Sequence, residues 1–358
     1  MNSKSNGDND NTSCQHQQDQ HDDPVFIVEL SPPESSIKDE KSPPTTIGVP
    51  KLCFGLYKVP NDDEIGVRVV LDAIDVGYRH FDCAPIYGNE STFGKAFQKA
   101  LAFGDDDKDE SDGSDVQATT LKRDKFYITS KIWNTTQKQG KEAIRESVVK
   151  SINDLKCDYL DLCYIHWPVP NHFIDTYVVL QDMILKGDDG LLRNIGLSNF
   201  TIEDYEALMA DPRIIVKPII NQMEVSCFMY RPKIVNYFQS HAGILVASSK
   251  SLHRGTNLDT CDVLQTIGKN MNKEQNNNDS TGIVSTLTIT PAQILLRWCY
   301  QKNMIVISKT SSKRRMKDEN RNIFHFKLSD VEMKLLDSIT TIEAIEERNK
   351  LEIVRKNS

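Results

Sequence analysis

Short apolar runs alternate along this chain with longer segments whose apolar residues recur every three or four positions. The runs lie at 52–57, 78–82, 126–132, 160–166, 194–198, 218–224, 243–248 and 304–309, and each reads as a β-strand. Between them the period changes to that of a helix. Val67, Val70, Leu71 and Ile74 share one face over 65–75, and Ile144, Val148, Ile152 and Leu155 share one over 142–155. Thr201-Ile-Glu-Asp204 has the form of a capping box, and Thr290-Pro291 puts proline in a helix's first turn. Eight strands alternating with helices predict an α/β fold, a (β/α)₈ TIM barrel, which a chain of 358 residues can build as one domain.

The pattern fails in four places. Residues 1–24 hold almost no apolar side chains and are expected to form a disordered polar tail. Strand-like runs at 25–30 and near 47–57 predict an N-terminal β-hairpin, widened by the Pro- and Ser-rich stretch 31–44. Low-complexity insertions near 104–120 and 272–285 are expected to be surface loops on a barrel domain spanning 25–345, and 346–358 is a C-terminal extension. No internal repeat is evident.

Charge changes the picture only once it is divided. The net charge is −8, but the tail contributes −4 and the stretch 104–117 contributes −6, so the rest of the chain carries about +2. An anionic cofactor meets no general repulsion there, and no basic stripe suggests nucleic acid. The eight cysteines include no CxxC pair, and Cys53 and Cys163 sit in apolar runs. Reduced, buried thiols are expected, without a disulfide framework or a metal site. With no run of eighteen apolar residues and no secretory leader, a cytoplasmic protein that does not span a membrane is expected.

Four of the strand-like runs end on polar residues suited to one kind of chemistry. They are Gly77-Tyr-Arg-His-Phe-Asp82-Cys-Ala-Pro-Ile-Tyr87-Gly-Asn-Glu90, Phe126-Tyr-Ile-Thr-Ser-Lys131-Ile-Trp133, Leu160-Asp-Leu-Cys-Tyr-Ile-His166-Trp-Pro168 and Ile195-Gly-Leu-Ser-Asn-Phe200. In a TIM barrel such ends meet at one mouth. Singly, Asp82 reads as a helix cap, Lys131 as a surface lysine, Tyr87 as packing and His166 as a core histidine; jointly they require four accidents. Reduction of a carbonyl leaves negative charge on oxygen and needs a proton donor within reach. A tyrosine is such a donor, an adjacent ammonium favours its phenolate, and a buried ammonium needs a carboxylate to stay charged.

Asp82, Tyr87, Lys131 and His166, in this order and with Asp and Tyr five apart, resemble the catalytic tetrad of the aldo-keto reductases over about residues 49–339. The resemblance implies Tyr87 as acid, Lys131 and Asp82 as its supports, and His166 as the group directing the carbonyl oxygen. It also implies a hairpin closing the bottom of the barrel, an NADPH cofactor and a small-molecule carbonyl substrate. Ser198, Asn199 and Gln222 match the residues that hold the nicotinamide carboxamide, whereas no GxGxxG follows a strand. Lys309, Thr310 and Arg315 match the segment that grips the adenosine phosphate; loop capping and a solvated basic helix start are the competing readings.

Three positions depart from the family. Ser248 or Ser249 stands where an aromatic ring stacks on the nicotinamide, Glu319 replaces an asparagine near the phosphate, and Ser226-Cys227 replaces His-Pro. Tyr57, Trp133 and Trp167 are expected to wall the substrate pocket. The short stretch between His166 and Gly196 points to an open pocket for small aldehydes and ketones. A monomer is expected. The rival reading is a nicotinamide-binding regulatory barrel subunit with little turnover.

Overall fold

The computed structural model describes residues 25–30, 45–106, 121–186, 190–278 and 288–358. The polar tail, the 31–44 stretch, most of the insertion near 104–120 and half of that near 272–285 fall outside these residues. Strands β1 (Val25–Leu30) and β2 (Thr45–Pro50) form an antiparallel hairpin in which Val25 faces Pro50. The apolar run at 47–57 is therefore two strands, divided at Lys51.

The second of these is the first barrel strand, β3 (Leu52–Gly55). It is followed by β4 (His80–Asp82), β5 (Tyr127–Ile132), β6 (Leu162–Ile165), β7 (Ile195–Ser198), β8 (Ile220–Glu224), β9 (Leu245–Ser249) and β10 (Ile305–Ser308). All pair in parallel with their sequence neighbours, and β10 returns to β3, closing an eight-stranded barrel. Seven of the eight predicted runs contain one of these strands, and the run at 243–248 falls one residue short of the end of β9 at Ser249.

The helices close the outer layer as their periodicity predicts. In Ile65–Asp75, Val67, Val70 and Ile74 are buried, while Leu71 packs at the margin. In Lys141–Leu155, all four predicted residues are buried. Thr201 caps Ile202–Met209 in a reciprocal box with Asp204, and Thr290 does the same with Gln293 ahead of Pro291–Gln301. One expectation needs correcting. The insertion at 272–285 does not begin as a loop, because residues 272–278 continue the helix Asp262–Asn278. Asn272 fastens that helix to the backbone of Ile289 through both ends of its carboxamide.

Alternation along the strands divides the core in two. Cys53, Tyr127, Leu162, Tyr164, Ile220, Ala247, Ile305 and Ile307 fill the barrel interior, and the larger cluster lies between strands and helices. Gly196 is required by this filling, since a Cβ there would meet the Tyr164 ring at 2.5 Å. The described cysteines are unpaired, and all except Cys261 are buried. Among the described residues no helix is long and apolar enough to cross a membrane.

Candidate active site

Strand alternation sends His80 and Asp82, Thr129 and Lys131 inward, so the last inward residue of β4 and that of β5 meet beneath the mouth. The Lys131 ammonium lies 2.6 Å from Asp82 Oδ1 and donates to the Cys83 carbonyl at 2.9 Å and to the Tyr87 hydroxyl at 3.1 Å. Its side chain is wholly buried. Burial opposes the charge, but Asp82 and then Tyr87 outweigh it and hold the ammonium above its ordinary pKa.

Tyr87 is carried on the short turn Pro85–Tyr87, which Gly88 ends at φ 70°, a left-handed conformation natural to glycine. The phenol is pushed up to about 12 by burial, which outweighs the lowering effect of Lys131. Lys131 thus acts in the expected direction, but burial prevails and Tyr87 stays protonated. His166 follows β6, with its ring 6.1 Å from that of Tyr87 and 4.9 Å from Trp133, both edge-on. Burial first, and Lys131 second, hold the imidazole well below its usual range, so it is neutral. Its buried Nδ1 has no hydrogen-bond partner among the described residues. Tyr57 stands half exposed, 5.3 Å from the Tyr87 ring.

The neighbouring strand ends make a different surface. Ser198 is buried at the end of β7, and Asn199 follows it in a left-handed turn at φ 60°. The Asn199 amide donates to the His166 carbonyl and to Ser198 Oγ, both at 3.0 Å. Gln222 of β8 donates to Asp82 Oδ1 at 2.8 Å, which links this side to the lysine. Ser248, expected in the cofactor seat, is turned the other way. Its hydroxyl lies 2.7 Å from the Val225 carbonyl, 2.9 Å from Ser251 and 3.4 Å from Cys299 of an outer helix. Register explains this: Ser248 pairs with Met223 of the outer cluster, whereas Ser249 pairs with Glu224, on the Gln222 side of the strand. Ser249 is therefore the serine that stands where the ring was expected.

After β10, Lys309 is half-buried and has no salt-bridge partner among the described residues. Burial, and then Lys58, lower its pKa. A half-buried cation beside another cation fits an incoming anion such as a cofactor phosphate. Thr310 accepts from the Ser312 backbone at 3.2 Å, and Arg315 lies exposed at the start of the next turn. Lys313 is paired with Asp75 at 2.6 Å. The side chain of Glu319 falls outside the described residues.

Comparison with known proteins bears on this geometry. The sequence profile of the Aldo/keto reductase family matches residues 51–341. The chain belongs to the aldo/keto reductase family. As a member it is an oxidoreductase of carbonyl compounds, in a family that works with nicotinamide cofactors. It is 31% identical over 311 residues to a glyoxal reductase of Bacillus subtilis, covering 87% of this chain and 96% of that one. It is 30% identical over 297 residues to "Aldo-keto reductase family 1 member A1-A" of Danio rerio, covering 77% and 82%. The solved aldose reductase of Schistosoma japonicum superposes with a TM-score of 0.66 at 28% identity, covering 84% of this chain and 94% of that one.

One group of site residues was missed in the sequence. Glu224 ends β8 on a charge, as Asp82 ends β4, and that signal was available. It is ion-paired with Lys250, and with Arg348 at 2.6 Å, from a helix (Ile342–Asn357) that begins where the family match stops. Arg348 also donates to Asn199 Oδ1 at 2.9 Å, and lies 5.6 Å from the Trp167 ring. Trp167, expected as an open pocket wall, is accordingly only 8% exposed.

Proposed function

We propose that this chain reduces aldehydes or ketones to alcohols with NADPH, with Tyr87 as the general acid. The observation that carries this reading is the chain of contacts from Asp82 through Lys131 to the Tyr87 hydroxyl, beside a neutral His166. A bound reduced nicotinamide supplies the hydride for the carbonyl carbon. Ser198, Asn199 and Gln222 are the groups suited to hold its carboxamide. Lys309, Thr310 and Arg315 are those suited to its phosphates, and the charges of Lys309 and Arg315 favour the 2′-phosphate of NADPH.

The residues then divide the work. His166, as a neutral imidazole, donates one N–H to the carbonyl oxygen and sets its direction. Tyr87, held at about 12, remains protonated throughout the neutral range and transfers its proton to the developing alkoxide, a much stronger base than phenolate. The phenolate left behind faces the Lys131 ammonium at 3.1 Å, which stabilises it until solvent returns the proton. Asp82 keeps that ammonium charged in its buried setting. Tyr57, Trp133 and the edge of Trp167 offer an aromatic wall suited to small apolar aldehydes.

Tyr87→Phe tests the assignment. The substitution removes only a hydroxyl, so NADPH binding should persist while aldehyde reduction falls by about 10²–10⁴-fold, the usual contribution of general acid catalysis. Reduction within a few-fold of wild type would show that another group gives the proton.

A further inference from the structure

The C-terminal helix Ile342–Asn357 faces the protein with charge instead of apolar side chains. Its buried residues are Arg348 and Glu352, whereas Ile342, Ile353 and Val354 are exposed. Its contacts run along the mouth. Asn134 after β5 donates to the Arg355 carbonyl at 2.7 Å, Lys356 pairs with Asp204 after β7, and Arg231 after β8 pairs with Glu352 at 2.8 Å. A helix held by buried ion pairs gains little from them in stability compared with apolar packing. Their placement therefore calls for a reason beyond stability.

Arg348 sits at the centre of this network, 5% exposed, and three of its nitrogens have different partners. Nη1 donates to Glu224 Oε2 at 2.6 Å, Nε to Glu352 Oε1 at 2.9 Å, and Nη2 to Asn199 Oδ1 at 2.9 Å. Guanidinium has only donors, so the Asn199 atom facing it must be the carbonyl oxygen. The His166 carbonyl only accepts, so the atom facing it must be the amide nitrogen. The two constraints agree and allow one orientation of the carboxamide. Both amide hydrogens are then committed, to His166 and Ser198, and Oδ1 keeps one lone pair beyond the one Arg348 takes.

We propose that Arg348 is a positioning residue of the cofactor seat, acting through Asn199 from a helix outside the family-matched segment. It fixes the Asn199 oxygen as an acceptor for the amide N–H of a nicotinamide carboxamide. This rests on the reading of Asn199 as part of that seat. Arg348 also neutralises Glu224. Burial raises that carboxyl, but Arg348 and Lys250 more than offset it and keep it ionised. Without Arg348, the Glu224 carboxylate would attract the amide hydrogens of Asn199 and turn the carboxamide over, presenting donors where an acceptor is needed.

The test is a double-mutant cycle read by NADPH titration of tryptophan fluorescence, using the full chain. Arg348→Met removes the donors and keeps the bulk. Asn199→Gly removes the carboxamide and leaves a left-handed backbone that glycine adopts without strain. Arg348→Met alone should raise the NADPH dissociation constant about tenfold, the loss expected when a charge-assisted contact misorients its partner. In the Asn199→Gly background the same substitution should change it less than about twofold, because the group through which it acts is gone. Equal penalties in both backgrounds would overturn the proposal. Arg348→Lys covers the case in which the methionine variant does not fold. Its single ammonium can neutralise Glu224, but it lacks the fork that also reaches Asn199, so the fold should survive with NADPH binding still weakened. Wild-type affinity in that variant would count against the proposal. If wild type itself does not bind NADPH, the reading of the seat fails first, and the inference with it.

Discussion

Lys131, near the end of β5, and Lys309, just after β10, belong to the same barrel, and their surroundings push them in opposite directions. Both lose solvation on burial. Lys131 is offset by Asp82 at 2.6 Å and ends above its ordinary pKa, whereas Lys309 has Lys58 as its neighbour and ends below it. On the proposed function, the difference follows from what each must meet. A lysine that supports a proton donor must be charged before substrate arrives, so the protein supplies its counter-charge. A lysine awaiting an anion serves best with that counter-charge left out. One side of the mouth is internally complete, and the other is poised for a ligand.

The largest way to break this comparison is Lys131→Met. It leaves the Asp82 carboxylate buried with Gln222 and Thr129 as its remaining side-chain partners among the described residues, so a loss of about 3–5 kcal/mol of stability is expected. Reduction by the folded fraction should also fall by at least two orders of magnitude, since the phenolate of Tyr87 loses its stabilising charge. Thermal melts and steady-state rates measured together check both effects. Unchanged stability would mean that the ion pair does not hold this side together.

Lys309→Met should do the reverse. Removing a charge that burial disfavours should leave the melting temperature unchanged or raise it slightly. NADPH binding should weaken about tenfold, as expected for loss of a charge-assisted phosphate contact. Arg315→Ala should weaken NADPH more than NADH. Titrations with the two cofactors separate these effects, and equal losses would show that neither residue reads the 2′-phosphate.

The smallest effects concern the two serines. Ser249→Tyr puts a ring at the position paired with Glu224 and should tighten NADPH several-fold, about 1 kcal/mol, the low end for stacking. Ser248→Tyr forces the same ring against Cys299 and Ser251, where overpacking costs about 1–3 kcal/mol. If the second tightened binding and the first destabilised the fold, the register would be reversed.

These outcomes also mark where the sequence could be read and where it could not. The barrel was legible because eight apolar runs fixed both the number and order of strands. Asp82, Lys131 and His166 were legible because each is a polar residue at or near the end of such a run, and Tyr87 because it follows Asp82 by five residues. Ser248 and Ser249 were not separable, because a shift of one residue in a strand reverses the face and the preceding residues Leu245, Val246 and Ala247 are apolar on both faces, giving no register. Arg348 was hidden for another reason. The polarity of its helix is inverted, so the amphipathic signal that marks a buried face points away from the site. The net direction for Tyr87 also escaped the sequence, since it depends on how far burial outweighs one ammonium.

On the proposed function the chain passes a hydride from NADPH to a carbonyl, and isotopic transfer follows that hydride. Wild-type protein is incubated with NADPH deuterated at the transferable C4 position and a small aldehyde, and the products are resolved by mass spectrometry. The predicted result is one deuterium on the carbinol carbon for each NADPH consumed. NADPH that binds with no alcohol formed across a panel of aldehydes and ketones would contradict the account and leave a barrel that holds the cofactor without using it.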